Sequence, residues 1–274
     1  MKLLSLQEKI YDSSFIKDIQ LCERKAYFRW VMGIEPVKSK AALTFGSAMH
    51  EALAIWHDPE LCDPIQRKGN AIKAMLETMK DIEPDLLRTR EKALEVFTAY
   101  IAKYPTEQFK VLKVEIPFSL DMEVGIFAGR IDMTIEWMKR IYVLDHKTTR
   151  ALGKTFFQSF RPDIQFDGYC YAVKEMYGDC AGALINALQV AKTKNNLERY
   201  ISDRVDRDFD RFVDMFTRKA KRTQYLLDKP MEEWEMNSTA CSHWGECEYR
   251  DICLYGERAI DGRYRDVSVI REDK

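Results

Sequence analysis

Apolar positions recur three and four residues apart over roughly the first hundred positions and then switch to every second residue, a change of period from helix to strand. Near the N-terminus, Phe15, Ile19, Cys22, Ala26 and Trp30 fall on one helical stripe, opened by Ser13-Ser14 as a capping pair and ended by Gly33 and Pro36. Lys38-Ser39-Lys40 reads as a loop. From Thr44 to Tyr104 the helical period continues, interrupted at Asp58-Pro59, Asp63-Pro64 and Glu83-Pro84. The first helix of that run carries an apolar stripe of Phe45, Met49, Leu53 and Trp56, with His50 beside it one turn after Gly46.

Strand character begins at Phe109. Leu112, Val114, Ile116 and Phe118 are expected on one face, with Lys113 and Glu115 on the other. A second strand runs from Ile126 through Ile131, Met133 and Ile135, and a third is built on Ile141-Tyr142-Val143-Leu144. A polar loop is predicted over 150–161, then a helix from Pro162 to Tyr177, a strand from Gly182 to Ala191 and a short one from Leu197 to Ile201. Asp206 to Leu227 reads as a charged amphipathic helix with Phe209, Phe212, Val213 and Phe216 inside. The order predicts an α/β fold, with a mixed central sheet flanked by helices and a helical insertion. One domain is expected over 1–274, divided into an N-terminal helix (1–43), a helical region (44–105), the sheet core (106–202) and a C-terminal helix with a cysteine-rich end (203–274).

Composition narrows the setting. Forty-three Lys and Arg against 44 Asp and Glu leave a net charge of −1, so any nucleic-acid surface must be local. No apolar run reaches membrane-spanning length, and the stretch at Met1–Leu6 is too short for an export signal, so a cytoplasmic protein is expected. Seven cysteines in a reducing compartment favour metal binding over disulfides.

Alternation along the strands sets out the chemistry. Asp145 and Lys147 share one face, His146 points the other way, and Asp132 can face the first two from the neighbouring strand. Two carboxylates and an ammonium are costly to bury together unless they bind something, and a divalent cation with a phosphate bridging to the lysine satisfies all three. Taken alone, Asp-x-Lys is more often a charge pair on an edge strand, and His50 a satisfied interior histidine. Glu115 and His50 lie where they can join the same cleft. Gln165 and Tyr169, four residues apart, project from one helix face and are suited to bonding a phosphate or stacking a base, although such a pair is more often ordinary helix surface. Cys241, Cys247 and Cys253 are evenly spaced, and Cys22 is the candidate fourth ligand. Four thiolates suit zinc or an iron–sulfur cluster, and His243 leaves a mixed zinc site open. Cys62, Cys170 and Cys180 show no partner spacing and read as buried thiols. Gly153-Lys154-Thr155 is not a phosphate-binding loop, because the glycine required five positions earlier is Thr148.

In sequence order these motifs resemble the RecB-like, iron–sulfur branch of the PD-(D/E)xK nuclease superfamily, which includes CRISPR-associated RecB-like exonucleases and the AddB nuclease domain. The resemblance rests on Cys22 with Arg24 and Tyr27, Gly46 to His50, and Gly129-x-Ile131-Asp132. It continues through Asp145-x-Lys147-Thr148, Gln165 to Tyr169 and the terminal cysteines. It implies a restriction-endonuclease-like core in which Asp132, Asp145, His50 and the backbone carbonyl of His146 hold Mg²⁺ or Mn²⁺. Lys147 would orient the attacking water, Gln165 and Tyr169 would handle the DNA strand, and Cys22, Cys241, Cys247 and Cys253 would hold a [4Fe–4S] cluster. The spacing of Cys241 and Cys247 departs from the usual pattern, in which two of the last ligands stand only two residues apart.

The resemblance therefore implies a metal-dependent DNA exonuclease acting on single-stranded ends in recombination, repair or replication. Its cell would be bacterial, archaeal or phage-infected, and its partners recombination, replication or CRISPR adaptation proteins. The rival expectation is a non-catalytic iron–sulfur scaffold that binds DNA.

Overall fold

Period-two patterning with fully apolar central runs calls for a sheet covered on both faces, and the structure has one. A computed structural model describes residues 2–37, 41–61, 63–81, 85–193, 195–242 and 245–267. In chain order the elements are α1 (Lys2–Gln7), β1 (Ile10–Tyr11), α2 (Ser13–Leu21), α3 (Glu23–Ala26), a π-helical turn (Tyr27–Val31) and β2 (Ile34–Pro36). Then come α4 (Ala41–His57), α5 (Pro64–Thr78), α6 (Arg90–Lys103), β3 (Lys110–Met122), β4 (Gly125–Trp137) and β5 (Arg140–Thr149). The chain continues through α7 (Lys154–Gln158), α8 (Ile164–Tyr177), β6 (Gly182–Gln189), β7 (Leu197–Asp203), α9 (Asp206–Leu227), α10 (Arg250–Tyr255) and β8 (Tyr264–Asp266). None of the described helices is long and apolar enough to cross a membrane.

The chain forms two compact units. The larger is built from residues 39–118 and 130–209, the other from 1–38, 119–129 and 210–274. In the larger unit the strand order is β4-β5-β6-β7, with β3 pairing β4. β5 lies antiparallel to β4 and parallel to β6, and β7 returns antiparallel, so the sheet is mixed. β6 is buried along nearly its whole length, which accounts for its run Ala183–Leu188, apolar except at Asn186. Helices pack on the sheet: α4 against β5, and α8 against β5 and β6. One apolar cluster joins Phe45, Met49, Leu53, Met75, Val96 and Phe97 of the helical insertion to Leu188 and Leu197. A second joins Phe109, Met133, Ile135, Leu144 and Leu184.

Four local expectations need correction. The first helix does not run to Trp30. It stops at Leu21 because Cys22 is extended, and its cap is Asp12, whose carboxylate accepts the Phe15 N–H at 2.7 Å, rather than Ser13-Ser14. The predicted loop 150–161 contains the short helix α7. In β3 the alternation holds from Val114 to Phe118, but upstream Val111 takes the place predicted for Leu112, and Glu115 has a positive φ of 49°. Asp63-Pro64 opens a helix rather than closing one, since α4 has already ended at His57: Asp63 caps α5 and Pro64 supplies its first residue. Lys38-Ser39-Lys40, Cys62, Glu83-Pro84 and His243 lie outside the described residues, wholly or in part.

In the smaller unit β1 runs parallel to the first residues of β4, with Ile10 opposite Ile126 and Tyr11 opposite Phe127. An aromatic core joins Tyr11, Phe15, Trp30, Phe127, Phe212 and Phe216. Buried Asp18 gathers the Trp30 indole N–H at 2.9 Å, Arg29 at 2.9 Å and Lys25 at 3.0 Å.

The deepest ion pair of the larger unit joins Arg204 to Asp167 at 2.6 Å, and the same guanidinium donates to the Ser202 and Phe160 carbonyls. Arg204→Met leaves Asp167 buried without its cation and should cost about 3–5 kcal/mol in denaturant unfolding. The double variant Asp167→Leu/Arg204→Met should lose less, and equal losses would show that the pair's charge balance is not what matters.

Candidate metal centre

The site forms where β4 and β5 part. Their ladder runs from Trp137 opposite Arg140 to Met133 opposite Leu144 and ends there. The next facing pair is Asp132 and Asp145. Residues opposite each other in antiparallel strands share a face, so both carboxylates and Lys147 fall on one side, as the alternation predicts. The His146 N–H, which a longer ladder would spend on the β4 backbone, is accepted by Asp132 Oδ2 at 3.1 Å.

Two helices complete the site. α4 brings His50, whose Nδ1 lies 2.9 Å from Asp132 Oδ2. One turn earlier, a Cβ at Gly46 would stand 3.5 Å from the Thr148 hydroxyl, in ordinary van der Waals contact with β5. α8, capped by Asp163, brings Gln165. Its amide Nε2 donates to Asp145 Oδ1 at 3.0 Å, and its Oε1 accepts from Lys147 Nζ at 3.3 Å. The same ammonium stands 2.7 Å from Asp145 Oδ2 and 5.3 Å from the Phe166 ring centroid. Among the described residues, His50, Asp132 and Asp145 are the one group of three such donors whose ligand atoms all lie within 4.8 Å of one another. An imidazole nitrogen and two carboxylate oxygens so placed fit a divalent cation of the magnesium or manganese kind.

Electrostatics separates the two carboxylates. Burial alone would raise Asp132, but the hydrogen bond and charge of His50, aided by Lys147, outweigh it and hold the group down at about 2. Asp145 is almost sealed from solvent, and burial raises it to about 6; Lys147 offsets only part of that, and the Asp132 charge adds to it. Burial opposes charge on His50 and on Lys147 too, yet Asp132 and Asp145 respectively keep both above their usual values. Burial drives His146 well below its usual value, so its ring is neutral.

The remaining predicted residues fall as follows. His146 turns its side chain away from the carboxylates into the interior, as alternation requires. Tyr169 is 7% exposed and packs edge-on against Phe118, which places its ring in the core rather than on an open helix face. Glu115 pairs with Arg130 at 3.0 Å; burial raises its carboxyl, and Asp132 adds to the shift. In the smaller unit Cys22, Cys241, Cys247 and Cys253 are all half-buried. Burial raises Cys253, and the thiols of Cys22 and Cys241 raise it further; Cys247 behaves likewise. Hydrogen bonds tie the end of α2 to the C-terminal segment: Asn237 N–H to Cys22 Sγ at 3.5 Å, Asn237 Nδ2 to the Leu21 carbonyl at 2.8 Å, and Arg24 to the Trp234 carbonyl at 3.2 Å. Cys170 and Cys180 are buried as expected, and their thiols hydrogen-bond to each other, a pairing that spacing did not reveal.

The sequence profile of the PD-(D/E)XK nuclease superfamily matches residues 14–254. The chain belongs to the PD-(D/E)XK nuclease superfamily. Asp145-His146-Lys147 has the residue types and order of (D/E)XK, and the mixed sheet flanked by helices is consistent with a restriction-endonuclease-like core. Among solved structures, a candidate exonuclease from Eubacterium rectale is similar to this nuclease, with 14% identity, a TM-score of 0.54, and coverage of 81% of this chain and 82% of that one. The protein SSO0001 aligns over 86% of this chain and 85% of its own at 13% identity, with a TM-score of 0.32. No curated protein matches significantly.

A divalent ion among these donors competes with protons on Asp145 and His50. The nuclease should therefore hold Mn²⁺ tightly at pH 8 and lose affinity as pH falls, first through the raised range of His50 and then through about 6, where Asp145 takes its proton, by roughly tenfold per pH unit for each proton displaced. Mn²⁺ titration followed by electron paramagnetic resonance reads this directly; an affinity flat from pH 8 to 5 would contradict it.

Proposed function

We propose that this PD-(D/E)XK nuclease is a divalent-metal-dependent exonuclease that hydrolyses DNA from single-stranded ends in recombination, repair or replication. The observation that carries the reading is the meeting of His50, Asp132 and Asp145 within 4.8 Å, with the Lys147 ammonium 2.7 Å from Asp145. The name given to the Eubacterium rectale neighbour supports an exonuclease over other nucleases.

His50, Asp132, Asp145 and the His146 carbonyl would hold Mg²⁺ or Mn²⁺. That ion supplies polarisation of the phosphoryl oxygen and an acidified water. Lys147 keeps its proton, and its ammonium offsets negative charge developing on the phosphate and orients the attacking water. Gln165 clamps Asp145 and Lys147 together, so that the carboxylate and ammonium hold one geometry. Substrate selection rests on backbone contacts, which carry no sequence information, so cleavage should be indifferent to sequence.

Asp132→Ala and Lys147→Ala should each abolish cleavage of end-labelled single-stranded DNA in Mn²⁺ while melting close to the parent, and EDTA should stop the parent enzyme. Double-stranded and circular substrates should be cut more slowly or not at all. Full activity in either variant would place the chemistry elsewhere, and a parent that binds Mn²⁺ without cutting would leave a scaffold.

In the smaller unit, Cys22, Cys241, Cys247 and Cys253 would hold a [4Fe–4S] cluster, as in the RecB-like branch. Four half-buried thiols that feel one another support it. Tetrahedral zinc, with Zn–S near 2.3 Å, needs sulfurs ~3.8 Å apart. Protein purified without oxygen should be brown, with about four irons per chain. A colourless preparation carrying one zinc would replace the cluster with a zinc site.

A further inference from the structure

The face of the sheet opposite the carboxylates carries a second polar feature. His146 of β5 stands opposite Asn186 of β6, and Asn186 stands opposite Arg199 of β7, so the three form a straight row across three strands. On one side the row is flanked by Leu144, Leu184 and Ile201, and on the other by Leu188 and Leu197, all apolar. Polar residues crossing an apolar layer cost stability unless each bond is made.

The bonds are made in a fixed direction. Arg199 is held by Glu107 through two hydrogen bonds of 2.6 and 2.8 Å, and donates to the Tyr100 hydroxyl at 2.9 Å. Its Nε reaches Asn186 Oδ1 at 3.4 Å. With that oxygen engaged, Asn186 presents its amide N–H to His146 Nδ1 at 2.6 Å. His146 must then accept at Nδ1 and carry its proton on Nε2. That Nε2 is buried without a hydrogen-bond partner.

The ring of His146 has a different use. The His57 ring stacks on it, with centroids 5.9 Å apart and an interplanar angle of 15°. The His50 ring meets it edge-on, at 5.9 Å and 87°. His50 and His57 both belong to α4, two turns apart on one face. His57 is tied to the same network through Tyr100, 2.9 Å from its Nε2. The neutral His146 ring is thus the surface on which α4 seats both histidines.

We infer that the row Arg199–Asn186–His146, anchored by Glu107, positions the metal centre from behind: by fixing the His146 ring it sets how α4 docks on β5, and so where His50 meets Asp132. The inference rests on the metal reading of His50, Asp132 and Asp145. Asn186 and Arg199 are positioning residues, because neither touches the carboxylates. Their effect belongs on ion affinity rather than on the rate once the ion is bound.

The test compares Asn186→Leu, Asn186→Asp and Arg199→Lys in the full chain, with Mn²⁺ affinity measured by electron paramagnetic resonance, cleavage at saturating Mn²⁺, and melting temperature. Asn186→Leu removes the relay at similar size and should weaken Mn²⁺ by about 10- to 100-fold, the usual effect of losing a residue that orients a ligand, with the saturated rate near the parent's. Arg199→Lys should move in the same direction. Asn186→Asp still accepts from Arg199 and lets His146 donate from Nδ1, so it should restore most of the affinity. Folded Asn186→Leu that binds Mn²⁺ as the parent does overturns the inference while leaving the proposed nuclease untouched. Loss of folding in both Asn186→Leu and Arg199→Lys assigns the row to core stability alone and overturns it too. A parent that binds no Mn²⁺ removes the metal reading and this inference together, whereas tight binding without cleavage removes only the proposed activity.

Discussion

Two carboxylates of like charge, Asp145 buried and Asp132 half-buried, face each other at the end of a β ladder, and the rest of the larger unit is arranged to keep them there. Like charges at that separation cannot both ionise freely in a low-dielectric interior. The structure divides the burden. Asp132 is held ionised by an imidazole and a backbone N–H, while Asp145, sealed beneath Gln165 and Lys147, keeps a raised affinity for its proton. The division is asymmetric: an imidazole and a backbone N–H serve Asp132, whereas an ammonium and a side-chain amide serve Asp145. Nucleases of the PD-(D/E)XK superfamily usually use divalent metals, and the grouping of His50, Asp132 and Asp145 suits the binding of one.

The helices answer that constraint in different ways. α8 lies on the carboxylate side and contributes one amide that touches both Asp145 and Lys147. α4 contributes from the other side of β5: it reaches round the end of the ladder with His50 and rests on the sheet through His57. The same strand therefore serves both faces, with Asp145 and Lys147 turned toward the chemistry and His146 between them turned toward the support. A one-residue slip in β5 would exchange the two sets, so the apolar neighbours that fix its register, Leu144 and Leu184, also protect the site.

Much of this was legible from residue order. The alternation through Ile141–Leu144 placed Asp145 and Lys147 on one face, and the helical period placed His50 one turn after Gly46, beside the apolar stripe of its helix. Each signal is local, so one strand or one helix suffices to read it. The break at Cys22 was hidden because Phe15, Ile19, Cys22, Ala26 and Trp30 keep helical spacing through a non-helical residue, and the aromatic core accepts them in either case. The shift in β3 was hidden because Val111 and Leu112 are equally apolar. The row behind the site could not be read at all: Glu107, Asn186 and Arg199 are single residues on three separate segments, and only the parallel β5–β6 register and the antiparallel β6–β7 register bring them into line. Tyr169 follows Gln165 by one turn of α8, as the spacing predicted, and its burial against Phe118 depends on a strand that the spacing says nothing about.

The central claim is that one divalent ion sits among His50, Asp132 and Asp145. Anomalous diffraction from crystals soaked in Mn²⁺ addresses it without any appeal to activity. The account predicts a manganese peak within coordination distance of His50, Asp132 and Asp145, on the carboxylate face of β5. Bound manganese elsewhere in the molecule, with no peak among those three side chains at saturating concentration, would contradict it.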